Sequence, residues 1–208
     1  PSIYFSIGFI VLLLVHEMGH VFALRYYGLR ASPPIFIPFL GALINLRQAP
    51  PNALAEAVVG MGGPFLGTIG AVGCFWLGWI FPQYQVLMLI AYFGFILNLF
   101  NLLPVPPLDG GRITAALSPW LWLLGLGLLA VLFVYDLMNG GFNWILLLVL
   151  VFAWPRIRNT LRTRHRDLPY YQVPKAGSYA IGLIYVWLAI ILVGFLIIIH
   201  DHSQISLF

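Results

Sequence analysis

Three ionisable side chains lie within five residues of one another near the start of the chain: His16, Glu17 and His20. Residues four apart share one face of a helix, so both imidazoles can bind the same ion. Glu17 lies about a turn away from His20 and can reach a water molecule on that ion. Two histidine ligands and a glutamate that accepts a proton from such a water are the arrangement found in zinc hydrolases. The run His16-Glu17-Met18-Gly19-His20 therefore predicts a catalytic zinc site.

The sequence around this cluster is too apolar for a water-soluble domain. Of the 208 residues, 62% are hydrophobic and 8% are charged, whereas soluble domains carry about 25% charged residues. So few charges cannot cover the surface of a soluble fold of this size, and several membrane spans are predicted. Ionisable groups inside an apolar span are costly and functional by default, which favours a metal site over a chance occurrence of the motif.

A catalytic zinc ion needs a third protein ligand in addition to water, and Asp109 is the best candidate. It lies in a proline-rich segment that directly follows an apolar run, residues 101–111 with the sequence NLLPVPPLDGG. The prolines stop the preceding helix and Gly110-Gly111 allow a tight turn, so that the carboxylate can be aimed at the histidines. The alternative is that Asp109 only caps the following helix.

Apolar runs of sufficient length predict an all-α polytopic membrane protein with about six transmembrane helices. The predicted spans cover about residues 2–24, 54–80, 85–103, 119–137, 142–157 and 178–200. The fourth and fifth spans are short, and a helical hairpin that does not fully cross is an alternative for that pair. In this layout all 10 basic residues fall on one side, which the positive-inside rule assigns to the cytosol. Because His16 lies only nine residues before Arg25, the cluster is expected several ångströms below the cytosolic face.

Two segments are not predicted to be spans. Residues 33–46 are apolar but broken by proline and glycine, and they predict a short membrane-dipping β-hairpin that turns near Leu40-Gly41. An apolar interfacial loop is an equally weighted alternative for this segment. Residues 156–177 are basic and predict a cytosolic loop that can contact anionic lipid.

The chain is expected to have two parts, a catalytic three-helix membrane core over residues 1–115 and additional transmembrane helices with the basic loop over residues 116–208. Small residues in the second span, including Gly60, Gly63 and Gly67, predict close helix packing. The net charge of +4 is explained by the placement of the basic residues, so no nucleic-acid partner is predicted. The oligomeric state is left open.

The two motifs together resemble those of the site-2 protease family of intramembrane zinc metalloproteases. The resemblance rests on HEMGH in the first core span and on NLLPVPPLDGG after the third, and it covers residues 1–115. It implies that His16, His20 and Asp109 bind one zinc ion per chain and that Glu17 is the catalytic base.

The same resemblance implies two contacts with substrate. Asn101 would help to bind the substrate backbone or to stabilise the tetrahedral intermediate. Residues 35–46 are similar to the family's membrane-dipping strand, which would hold an unwound substrate by strand addition.

The sequence departs from the family's pattern in two places. The family often carries Gly-Pro-x-x-Asn in its second core span, whereas here Gly63 and Pro64 are followed by Gly67 at the position of the asparagine. Asn98, one turn before Asn101, is a candidate to compensate for it. In addition, no PDZ domain interrupts the core between the second and third spans, which are joined by about residues 81–84.

The predicted function is zinc-dependent hydrolysis of peptide bonds in membrane-spanning substrates, as in regulated intramembrane proteolysis. The expected partners are a transmembrane protein substrate and the lipid bilayer, and the expected location is a bacterial plasma membrane with the active site towards the cytosol. One alternative is a prenyl-protein-type membrane metalloprotease with Glu56 as the third ligand. The other is a non-proteolytic metal-binding or scaffold protein, against which the presence of Glu17 argues.

Overall fold

The computed structural model of this chain describes residues 3–29, 35–37, 41–43, 50–162 and 169–203. Within these residues the secondary structure is almost entirely helical, as the sequence predicted. The helices are α1 Ile3–Tyr26, α2 Ala53–Ile80, α3 Gln85–Asn101, α4 Asp109–Ala115, α5 Leu121–Met138, α6 Trp144–Arg162 and α7 Lys175–Ser203, and Pro169–Tyr171 form a single 3-10 turn.

Four of the described helices are long and apolar enough to cross a membrane, which supports a multi-pass integral membrane protein. They are Ile3–Tyr26, Ala53–Ile80, Leu121–Met138 and Lys175–Asp201. The apolar helix α3 has 17 residues and falls short of this length. In α6, only residues 144–155 precede the arginines, which corresponds to about 18 Å of helix against roughly 30 Å of hydrocarbon. The expected count of about six spans is therefore not confirmed.

Local sequence explains where α1 ends and where α2 begins. The chain leaves α1 through Gly28, whose φ of 68° suits glycine. There the Gly28 amide donates to the Arg25 carbonyl at 2.9 Å, and the Leu29 amide donates to the Leu24 carbonyl at 3.0 Å. Before α2, the Asn52 side chain accepts a hydrogen bond from the Ala55 amide at 2.9 Å, as an N-cap residue does.

One compact unit is formed by the described parts of Pro1–Ala49, Met61–Asn101 and Ile184–Phe208. Here α1 packs on α3, and Gly94 of α3 leaves the space that the Leu12 side chain fills. The Phe95 and Phe195 rings stack with their centroids 4.9 Å apart. This packing fixes which face of α3 is turned towards α1.

The other compact unit is formed by the described parts of Pro50–Gly60 and Leu102–Leu183. Trp122 is buried in it, and its indole Nε1 donates to the Gly111 carbonyl at 2.8 Å. Gly125 of α5 lies against the Pro104 carbonyl, where an added Cβ would overlap the backbone. The proline-rich segment before α4 is thereby packed against α5.

Two three-residue strands lie between α1 and α2 in the sequence, β1 Ile35–Ile37 and β2 Gly41–Leu43. They pair antiparallel, with Ile35 opposite Leu43, Phe36 opposite Ala42 and Ile37 opposite Gly41. The remaining residues of the predicted 33–46 segment, including its turn near Leu40, lie outside the described residues. That this segment dips into the membrane stays a prediction.

Candidate metal centre

The cluster that the sequence singled out lies on one buried face of α1. His16, Glu17 and His20 are only 2%, 7% and 5% exposed. The Nε2 atoms of the two histidines lie 3.3 Å apart. Two nitrogens bound tetrahedrally to one zinc ion at about 2.05 Å would lie about 3.3 Å apart. The two imidazoles are therefore already spaced as ligands of a single ion.

Glycines of α2 allow its backbone to approach this face of α1. A Cβ added at Gly63 would overlap His20 Nε2 and would lie 2.7 Å from His16 Nε2. Gly19 and Gly62 face each other, and a Cβ on either would overlap the carbonyl group of the other. The close packing expected from the small residues of this span thus occurs directly beside the two imidazoles.

His16 has a further contact on the other side of its ring. Its Nδ1 lies 2.8 Å from Oδ1 of Asn98, a fully buried residue of α3. The Asn98 Nδ2 in turn donates to the Gly94 carbonyl at 2.8 Å. From the sequence alone, Asn98 is only a candidate to replace a missing asparagine, and its contact with His16 is not predicted.

Asp109 is the first residue of α4 and is buried. The N-cap position belongs to Leu108, which makes no side-chain capping bond, so Asp109 is not the cap residue that the alternative interpretation required. Gly111, the second glycine after Asp109, lies against the proline-rich segment, where an added Cβ would be 2.8 Å from Pro106 Cα. Glycine at position 111 is thus needed for this close approach.

Among the described residues, the structure contains one group of three side chains that could hold a metal ion: His16, His20 and Asp109. Each offers one ligand atom, these atoms all lie within 4.8 Å of one another, and all three residues are buried. Two imidazole nitrogens and one carboxylate oxygen are a donor set of catalytic zinc sites. The residues therefore fit a zinc ion.

Glu56, the alternative third ligand, is not a member of that group and has other partners. Tyr170 Oη donates to its Oε2 at 2.7 Å, and a guanidinium nitrogen of Arg156 lies 3.5 Å from its Oε1. Both oxygens of the Glu56 carboxylate are thus engaged by side chains of the protein. Burial and this hydrogen bond raise the pKa of Tyr170, which keeps its hydroxyl protonated and able to donate.

Asn101, the predicted substrate-binding residue, is the last residue of α3 and is partly buried. It lies one turn beyond Asn98. Its role towards a substrate stays a prediction.

Comparisons with known proteins agree with the predicted family. The model of peptidase family M50 matches residues 4–88 and 83–122, which is more than half of the chain. The chain belongs to this family, the site-2 protease family.

Two relatives come from the archaeon Methanocaldococcus jannaschii. A zinc metalloprotease of this organism is 28% identical over 123 residues, which are 56% of this chain and 35% of the relative. The matched part therefore spans only about a third of that protein. The solved structure of the site-2 protease from the same organism covers 83% of this chain and 81% of its own, with a TM-score of 0.56 and 23% identity. That similarity shows a shared fold.

Proposed function

We propose that this family member is an intramembrane zinc metalloendopeptidase that cleaves peptide bonds of membrane-spanning proteins. The observation that carries the proposal is the buried group of His16, His20 and Asp109, whose ligand atoms lie within 4.8 Å of one another. It occurs in a chain whose described residues include four helices suited to crossing a membrane. Burying ionisable groups in an apolar protein costs free energy unless they are paired or coordinate a metal, and such groups mark functional sites.

His16, His20 and Asp109 would hold one zinc ion and leave a fourth position open to water or substrate. When bound, zinc would supply a Lewis acid that acidifies a coordinated water and polarises the substrate carbonyl. Glu17 belongs to the same buried face of α1. Its carboxylate would accept the proton of the attacking water and then donate it to the nitrogen of the leaving amine.

The substrate would reach these residues with its backbone unwound, because helical carbonyls are already occupied by hydrogen bonds. The pairing of β1 with β2 supports recognition of an extended segment by residues 35–46 through strand addition. Asn101 would contact the substrate backbone or the tetrahedral intermediate. We propose residues 1–115 as the catalytic part, and the family match over residues 4–88 and 83–122 supports this.

The proposed location is a bacterial plasma membrane, with the active site towards the cytosol. The basic residues support this orientation, because in the predicted layout all 10 lie on one side. The engaged carboxylate of Glu56 favours the site-2 type of site over the prenyl-protein type.

The test compares wild-type protein with Glu17→Gln in a cleavage assay on purified single-span membrane proteins. We expect the variant to keep one zinc ion per chain and to lose activity by about 100-fold or more, as general-base removal does. Glu56→Gln, at the other glutamate of the chain, is the matched control and should cleave normally. Wild-type activity in zinc-loaded Glu17→Gln would contradict the assignment.

A further inference from the structure

Asn98 is completely buried in α3, and both ends of its carboxamide are engaged. One end meets Nδ1 of His16 and the other meets the Gly94 carbonyl, each at 2.8 Å. A buried amide with a single satisfied arrangement has a fixed orientation. Asn98 is therefore suited to orient the imidazole ring of His16, which it contacts.

The partners of Asn98 determine which end of its amide faces His16. A backbone carbonyl only accepts hydrogen bonds, so the end at Gly94 must be the NH2 group. The carbonyl oxygen Oδ1 must then face His16, and because it too only accepts, His16 Nδ1 must carry the proton. In a neutral imidazole the lone pair then lies on Nε2.

That nitrogen is the one directed at the candidate metal centre. His16 Nε2 lies 3.3 Å from His20 Nε2. If His20 Nε2 carries a proton in the metal-free protein, it can donate to the His16 lone pair. If it does not, two unprotonated nitrogens lie 3.3 Å apart, which is the spacing of two ligands of one zinc ion. In either case His16 presents Nε2 as a ligand.

We propose that Asn98 is a positioning residue that fixes His16 in the Nδ1-protonated form, with Nε2 oriented to bind zinc. This inference rests on the proposed zinc site. Outer-shell partners of ligating histidines act in this way and typically change metal affinity by about 10–100-fold when removed.

Gly67 provides the space in which the Asn98 carboxamide lies. A Cβ added at Gly67 would overlap Oδ1 and would lie 2.9 Å from Nδ2 of Asn98. The resemblance to site-2 proteases had left position 67 without its asparagine. Here the Asn98 amide from α3 fills the space beside that position.

The test measures zinc affinity by chelator competition on the purified full chain in detergent, together with the visible spectrum after cobalt substitution. Asn98→Leu, which has no acceptor, should bind zinc about 10–100-fold more weakly. Asn98→Asp keeps an acceptor oxygen for His16 and, when protonated on the oxygen that faces the Gly94 carbonyl, can still donate there, so it should bind zinc clearly more tightly than Asn98→Leu. Thr68→Val is the matched control, since it removes another buried side-chain hydrogen bond, to the Pro64 carbonyl at 2.6 Å, and should not change zinc affinity.

A second measurement needs no substitution at Asn98. In wild-type, metal-free protein labelled with 15N-histidine, at a pH where His16 is neutral, Nδ1 should be protonated and Nε2 should not. The His16 signals are assigned by their loss in His16→Ala. The Nε2-protonated form would overturn the proposal, as would equal losses of zinc affinity in Asn98→Asp and Asn98→Leu or an unchanged affinity in both.

These outcomes separate the two proposals. If wild type binds zinc and Asn98→Leu weakens it, but no membrane protein is cleaved, the proposed protease function fails and the role of Asn98 stands. If wild type cleaves and Asn98→Leu binds zinc normally, the role of Asn98 fails and the protease function stands.

Discussion

Two regions of this protein hold ionisable groups on apolar helices, and they satisfy them differently. At the start of α2, Glu56 has its carboxylate engaged by a phenol and a guanidinium of the protein itself. On α1, the Nε2 atoms of His16 and His20 face each other at a distance that suits a cation from outside the chain. Convergence of donor atoms, rather than burial of an ionisable residue alone, therefore distinguishes a candidate metal site from a structural ion pair.

The largest loss of zinc affinity is expected when the carboxylate proposed to bind the metal is removed. Asp109→Ala should lower zinc affinity by more than the about 10–100-fold that loss of an outer-shell partner causes, and it should abolish cleavage. Glu56→Ala should retain one zinc ion per chain, because its carboxylate serves Tyr170 and Arg156. Zinc binding measured by chelator competition on both proteins decides the matter. The reverse result would make Glu56 the third ligand.

A smaller loss of zinc affinity is expected when a single methyl group is added beside the imidazoles. Gly63→Ala should displace the His20 ring, which an added Cβ would overlap, and lower zinc affinity by about 10-fold or more. Gly73→Ala, in the same helix, is the matched control, because a Cβ there meets no atom within 4 Å. Isothermal titration or chelator competition would measure both. Equal affinities in the two variants would show that α2 does not confine the site.

The smallest effect is expected at the ion pair, where stability should change and zinc binding should not. Tyr170→Phe removes the hydrogen bond to Glu56 and should lower the free energy of unfolding by about 1–2 kcal/mol. Arg156→Gln should cost less than about 1 kcal/mol, because this guanidinium is 52% exposed. Unfolding in detergent, with zinc affinity measured in parallel, tests both. A loss of zinc affinity in Tyr170→Phe would contradict the purely structural role.

The stabilisation by the hydrogen bond from Tyr170 to Glu56 depends on pH through the raised pKa of Tyr170. Burial, and then the hydrogen bond to Glu56, raise the pKa of Tyr170 above its ordinary value. Since the folded state holds this proton more tightly than the unfolded state, the stabilisation is fully present below about pH 10 and is lost as the pH rises further. The stability difference between wild type and Tyr170→Phe should therefore be constant from about pH 6 to 9 and shrink above pH 10.

Much of the candidate site could be predicted from sequence because its chemistry is local. The spacing of His16 and His20 places both on one helix face whatever surrounds them. Asp109 could be singled out because the prolines before it stop the preceding helix and the glycines after it allow a tight turn. The family likewise follows from two short motifs in a fixed order, and the M50 match confirms it.

The features of the site that could not be predicted from sequence depend on tertiary packing. Asn98 and His16 are 82 positions apart, and their contact exists only because α3 turns this face towards α1. No periodic pattern in the sequence predicts this contact, because an asparagine in an apolar helix is compatible with several structural roles. The count of about six spans is not confirmed for a different reason: α3 has only 17 residues, and the helical run of α6 continues into basic residues that do not belong in hydrocarbon.

The most direct test of the central claim is the coordination shell of zinc in the purified 208-residue chain, measured by X-ray absorption. The proposed site predicts one zinc ion per chain with two imidazole nitrogens at about 2.0–2.1 Å and carboxylate or water oxygens at about 2.0–2.2 Å. One imidazole should be lost in His16→Ala. A shell that contains sulfur, a shell of oxygens alone, or two imidazoles that persist in His16→Ala would contradict it.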